Sequence, residues 1–115
     1  MISQRLAGNI DEAAEFLSLL GNSKRLAIIG HLLEGELSVG AIAEKVSLSQ
    51  SALSQHLAKL RALELVETRR DRQMIYYSCN SEPARRLIAA LEGIYGEAFR
   101  QDNAVRLEPR LRRAR

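Results

Sequence analysis

Apolar positions along the chain fall into four successive stretches with a helical repeat, two short runs rich in β-branched and aromatic residues, and a last helical stretch. In the first, Ile10, Ala13, Phe16, Leu17 and Leu20 recur at spacings of three and four. Asn9 or Asp11 caps this helix, acidic residues occupy its first turn where the helix dipole favours them, and Gly21 ends it. Asn22-Ser23 then opens a second helix carrying Leu26, Ile29, Leu32 and Leu33, which Glu34-Gly35 breaks. Ser38 caps a short third helix with Val39, Ile42, Ala43 and Val46 on its apolar side. Ser47-Leu48 forms a tight link to Ser49, the cap of a fourth helix that runs to about Leu63 and places Leu53, Leu57 and Leu60 on one stripe.

After Leu63 the pattern changes. Leu65–Arg69 and Met74–Cys79 read as strands, and Arg70-Asp71-Arg72-Gln73 between them suits a hairpin turn. Ser81-Glu82-Pro83 restarts a helix, since proline is tolerated in a first turn where its missing N–H has no partner. The predicted order is helix-helix-helix-helix-strand-strand-helix. Two helices joined by a three-to-four-residue link and followed by a hairpin describe a winged helix-turn-helix, a mainly α fold with a β-hairpin wing.

Composition adds limits to this outline. The 115 residues, 46% of them hydrophobic, suffice for one domain. With Trp absent and only Phe16, Phe99, Tyr76, Tyr77 and Tyr95 aromatic, its core must be aliphatic. No apolar run approaches the roughly 18–20 residues of a membrane span, and the first residues lack a leader's apolar stretch, so the expected location is cytoplasmic, with no membrane partner. The single Cys79 excludes an intramolecular disulfide and falls short of a structural zinc site. With no metal-ligand cluster, nucleophile motif or phosphate-binding glycine loop, neither an enzyme nor a cofactor or metal is expected.

Charge is unevenly placed. Residues 100–115 carry six arginines against two acidic residues, a local +4 that leaves the preceding body at −1 of the chain's net +3. The expected division is therefore a domain over 1–99 and a flexible arginine-rich tail over 100–115. Within the body, Lys45, Lys59, Arg61, Arg69, Arg70 and Arg72 gather around the helix-turn-helix and hairpin.

The fourth helix sets Ser51, Ser54, Gln55, Ala58, Lys59 and Ala62 opposite its leucine stripe. Short hydroxyls, an amide and alanines let a backbone approach a groove closely, and glutamine can pair with adenine. A merely solvated face is the plain alternative, yet no acidic residue stands between Ser49 and Ala62, as a surface facing phosphates requires. His56, beside the apolar stripe, suits packing or a phosphate contact better than base reading. At the hairpin, Arg69, Arg70 and Arg72 lie where a wing reaches phosphates or a minor groove. The expected DNA-contacting set is Ser49, Gln50, Ser51, Ser54, Gln55, His56, Lys59, Arg61, Arg69, Arg70 and Arg72.

Four blocks carry a resemblance: Leu20-Gly21-Asn22-Ser23-Lys24-Arg25-Leu26, Leu37 to Ala43, Leu48 to Arg61, and Leu65-Val66 through Arg69-Arg70 to Ile75-Tyr76-Tyr77. Together they resemble the ArsR/SmtB family of repressors, nearest its NolR/BigR/HlyU-like branch. The resemblance implies a winged-helix homodimer that binds double-stranded DNA at an inverted-repeat operator. Metal sensors in that family carry a Cys-Val-Cys-like segment where this chain has Ser38-Val39-Gly40, or Asp and His ligands on the last helix, and residues 83–99 contain neither. A redox-sensing branch uses cysteines on the second and last helices, and this chain has none there. A metal- or redox-responsive sensor of the same family and a winged-helix protein-interaction module stand as alternatives. Cys79 is expected to be a small buried apolar residue.

Leu87, Ile88, Leu91, Ile94 and Tyr95 give the last helix an apolar stripe broader than so small a domain can cover. The family resemblance implies pairing of first and last helices across a two-fold axis, which makes Ile10, Phe16, Leu17, Leu20, Leu87, Leu91, Ile94 and Tyr95 the expected dimer interface.

Overall fold

Over the described residues, 1–96, the computed structural model forms α1 (Gln4–Ala7), α2 (Ile10–Leu20), α3 (Ser23–Glu34), β1 (Leu37–Ser38), α4 (Val39–Val46), α5 (Gln50–Ala62), β2 (Glu67–Asp71), β3 (Met74–Ser78) and α6 (Glu82–Tyr95). The arginine-rich tail over 100–115 and the end of the expected 1–99 domain lie outside these residues. Two compact units divide the chain, the first ending at Ser81 and the second starting at Glu82.

Polar side chains start the helices where the sequence places them. Asn22 Oδ1 accepts the Lys24 and Arg25 N–H groups at 3.0 and 3.1 Å, Ser38 Oγ that of Ala41 at 3.2 Å, and Ser49 Oγ that of Ala52 at 3.2 Å. Each satisfies donors that a helix start leaves without an intrahelical partner. Asn9 differs: it precedes α2 but its amide donates to the Arg5 carbonyl at 2.8 Å, closing the short α1, which the sequence pattern does not reveal.

Both ends of the helix-turn-helix close by the paired backbone bonds of a Schellman turn. After α4, Leu48 N–H bonds Ala43 O and Ser47 N–H bonds Glu44 O; after α5, Leu65 N–H bonds Leu60 O and Glu64 N–H bonds Arg61 O. The pivots, Ser47 at φ 57° and Glu64 at φ 59°, are left-handed positions occupied without glycine. The second closure also explains a shift in strand position. It holds Leu65 and Val66 in the core, so β2 begins at Glu67, two residues later than the alternation predicts.

The sheet is antiparallel in the order β1-β3-β2. Leu37 and Ser38 pair with Tyr77 and Tyr76, adding a third strand too short to show a sequence period. On the other side of β3, Glu67 to Asp71 pair with Ser78 to Met74, leaving Arg72-Gln73 as a two-residue tip with Arg72 at φ 61°.

The core of the first unit is aliphatic, as the scarcity of aromatics requires. Ile28 and Ile29 of α3, Ile42 of α4, and Leu53 and Leu60 of α5 are fully buried, joined by Leu32, Val46, Leu57 and Tyr77. Each such side chain contributes about 1.5–3 kcal/mol by burial. Because α3 packs against α2, α4, α5 and β3, it is the post on which the helix-turn-helix is mounted. Cys79 is buried, as expected. In the second unit, α6 carries Pro83 in its first turn, Leu87 and Leu91 half-buried, and Ile94 and Tyr95 exposed. No helix among the described residues is long and apolar enough to cross a membrane.

Candidate nucleic-acid interface

Burial of Leu53, Leu57 and Leu60 fixes which side of α5 faces out. Ser51, Ser54, Gln55, Ala58, Lys59 and Ala62 are all exposed, as are Ser49, Gln50 and Arg61. The start of the helix holds no acidic residue, and its capping hydroxyl, Ser49 Oγ, also lies 3.4 Å from Ser51 Oγ. Positive dipole and free N–H groups make such a start favourable for a phosphate. Lys59 and Arg61 stand in the last turn, so α5 presents short polar side chains at one end and cations at the other.

His56 is set apart from this face. It is half-buried, and its Nδ1 lies 3.3 Å from Arg25 Nη1. Burial first, then the charges of Arg25, Lys59 and Lys24, holds its pKa below the ordinary 6.5. A neutral, packed ring fits the packing half of the sequence expectation rather than the phosphate-contacting half.

The three wing arginines are not equivalent. Arg69 donates to both carboxylate oxygens of Glu36, at 2.9 and 2.8 Å, and its guanidinium sits 4.7 Å from the centre of the Tyr76 ring. Arg70 and Arg72 are at the exposed end of the ribbon, where Arg70 Nη1 reaches the Arg72 carbonyl at 3.4 Å. A groove of about 450 Å³, lined by Ser38, Val39, Gly40, Gln50, Gln73, Met74 and Ile75, separates the wing tip from the starts of α4 and α5. Ser38 and Gly40 therefore line an open groove beside the wing, and among the described residues no three His, Cys, Asp or Glu side chains converge to hold a metal.

Three positioning residues escape sequence reasoning. Lys24 Nζ donates to the Val46 carbonyl at 2.6 Å, capping the end of α4; Arg25 Nε donates to the Leu19 carbonyl at 2.6 Å; Glu36 anchors Arg69. Lys24 and Arg25 lie inside the block Leu20–Leu26 that carries the family resemblance, a signal that marks them without giving their partners.

Of the residues expected at a dimer interface, Ile10, Leu17, Ile94 and Tyr95 are each about half exposed. Phe16, Leu87 and Leu91 are half-buried. Leu20 is only 2% exposed and so belongs to the interior of the chain, with no surface to offer a partner.

Comparison with known proteins agrees with this geometry. A family model described as bacterial regulatory protein, arsR family, matches residues 22–68, from the cap of α3 to β2. The nodulation protein NolR of Rhizobium meliloti is 52% identical over 102 residues, covering 89% of this chain and 81% of its own. The crystal structure of the transcriptional repressor BigR from Xylella fastidiosa superposes with a TM-score of 0.78 at 34% identity, over 84% of this chain and 99% of that one. A homodimeric winged helix-turn-helix DNA-binding domain from Mycobacterium bovis, solved by NMR, superposes with a TM-score of 0.67 at 33% identity, over 83% and 88%.

Proposed function

The chain belongs to the arsR family of bacterial regulatory proteins, and on that premise we propose that it is a homodimeric repressor that reads an inverted-repeat operator through two copies of α5. It is a DNA-binding transcriptional regulator and not an enzyme, as its relatives are. The observation that carries the finer reading is the exposed, acid-free face of α5, where Ser51, Ser54 and Gln55 are held outward by a buried leucine stripe. Those groups read base edges, the helix start and Lys59 bind phosphates, and the wing extends the contact through Arg70 and Arg72.

Dimerisation follows from exposed apolar surface. Leu17 of α2 and Ile94 of α6 are 55% and 53% exposed, and the M. bovis relative is a homodimer. Joining two half-sites through one dimer supplies affinity that neither has alone. The location that suits this role is the cytoplasm, where operator DNA lies.

The test is selection of duplexes from a randomised pool with the full chain, followed by binding to the recovered duplex and to a scrambled one across a salt series. An inverted repeat with half-site centres about 10 base pairs, or a multiple, apart supports the reading. Equal affinity for the selected and scrambled duplexes overturns it.

A further inference from the structure

Arg25 joins three parts of the fold at one point. It stands in the first turn of α3, its Nε donates to the Leu19 carbonyl in the last turn of α2, and its Nη1 lies 3.3 Å from His56 Nδ1 on α5. The last carbonyls of a helix lack intrahelical partners, so the Leu19 bond satisfies one of them. A guanidinium is planar and rigid, so one head group engaged on two sides sets a fixed geometry between its partners.

This geometry matters because, among the described residues, the side-chain packing of α5 on the core is otherwise apolar and not directional. Leu53, Leu57 and Leu60 hold the helix by apolar burial, which fixes the side that faces inward but tolerates small rotations and slides. Gln55 adjoins His56 in the chain, and Ser51 lies on the same helix surface. A small rotation at His56 therefore displaces the reading groups, whose hydrogen bonds to base edges depend on position and angle.

We propose that Arg25 is a positioning residue for DNA reading: through His56 it fixes the rotational setting of α5, and the latch holds only while His56 Nδ1 carries no proton. The proposal rests on α5 being the reading helix. Guanidinium has donors and no acceptor, so the contact needs a lone pair on Nδ1 and hence the tautomer protonated at Nε2. Protonation of the ring converts Nδ1 into a donor facing another donor, and the latch opens. The charged groups around the ring are Arg25 and Lys24 of α3 and Lys59 of α5 itself, with Glu15 of α2 lining the groove that Arg25 and Lys59 share. Partial burial, and after it the surrounding cations, favours the neutral ring.

The test compares the full chain with His56→Asn, whose amide oxygen offers an acceptor near the Nδ1 position, and with His56→Leu and Arg25→Met, which break the latch. The readout is the ratio of affinities for the duplex recovered by selection and for a scrambled duplex. The ratio should fall about tenfold or more in His56→Leu and Arg25→Met, the discrimination of one base contact, and stay within about threefold in His56→Asn. Affinity for the scrambled duplex should not change. Lowering the pH from about 7.5 until ring ¹⁵N shifts show His56 protonated, below the ordinary histidine range because its pKa is lowered, should reduce the ratio in the unmodified chain and not in His56→Asn.

An unchanged ratio in a folded His56→Leu protein overturns the latch. If the variants do not fold, ¹⁵N shifts of the His56 ring in the unmodified protein decide: an unprotonated Nδ1 at neutral pH supports the latch and a protonated one overturns it. Gln55→Ala separates the two levels. If it lowers the ratio and His56→Leu does not, the latch alone fails; if neither does, α5 is not the reading helix and both proposals fail.

Discussion

Arg69 and Glu36 form a two-pronged ion pair, Nε to Oε2 at 2.9 Å and Nη2 to Oε1 at 2.8 Å, that ties β2 to the loop before β1. Because Tyr76 stacks under the same guanidinium and pairs with both Arg69 and Ser38, the pair fixes the base of the wing against the start of α4. An arginine engaged in this way holds the wing in place, which under the proposed function leaves the phosphate contacts to Arg70 and Arg72.

That division is measurable in the salt dependence of DNA binding. Arg70→Ala and Arg72→Ala should each lower the slope of log affinity against log salt by about 1, weakening binding to all sequences alike. Arg69→Ala should weaken binding with the slope unchanged. A slope that drops equally for all three would make Arg69 a phosphate contact after all.

The same pair sets a pH window. Its hydrogen bonds to Arg69 hold the Glu36 carboxyl below the ordinary 4.5, so the folded state binds its proton less readily than the unfolded chain. The stabilising effect is complete above about 4.5 and is lost as pH falls through the lowered folded value. Amide exchange at Tyr76 and Tyr77 should therefore quicken at the acid end of this window, and Glu36→Gln should remove that dependence. Identical acid profiles for the two proteins would show that the pair does not hold the hairpin.

Glu64 is exposed and left-handed at the Schellman closure after α5. Glu64→Gly removes the steric cost of that conformation, about 1–2 kcal/mol, against a loss of about 0.5–1 kcal/mol from added freedom in the unfolded chain. A net gain of about 0.5–1 kcal/mol is expected, read as a higher urea midpoint at unchanged slope. A lower midpoint would mean that the Glu64 side chain makes a stabilising interaction of its own.

For dimerisation, Leu17→Glu is the informative change, since a half-exposed side chain is not needed for the fold of one chain. Sedimentation should show a folded monomer at micromolar concentration, with affinity for the selected duplex reduced roughly 10²–10⁴-fold. A variant that stays dimeric would place the interface away from Leu17.

The outline of this fold is readable because its punctuation is local. Asn22, Ser38 and Ser49 sit where a cap must be and act as caps, and the leucine stripe at 53, 57 and 60 fixes the outward face of α5 without reference to any other element. What the sequence hides is whatever depends on distant partners. Arg69 looks like another wing arginine until Glu36, 33 residues away, is brought beside it. His56 lies between packing and contact roles until Arg25, 31 residues away, meets its ring. Neither β1, two residues long, nor the Ser47 and Glu64 pivots, which lack the glycine that usually marks them, leaves a periodic or compositional trace.

The central claim, that α5 reads the operator, is tested most directly by repeating the duplex selection with Gln55→Ala beside the unmodified chain. A reading role requires that the recovered inverted repeat lose its preference at one position in each half-site, symmetrically, with discrimination there reduced by about 1–3 kcal/mol and the other positions kept. An identical motif from both proteins would contradict it.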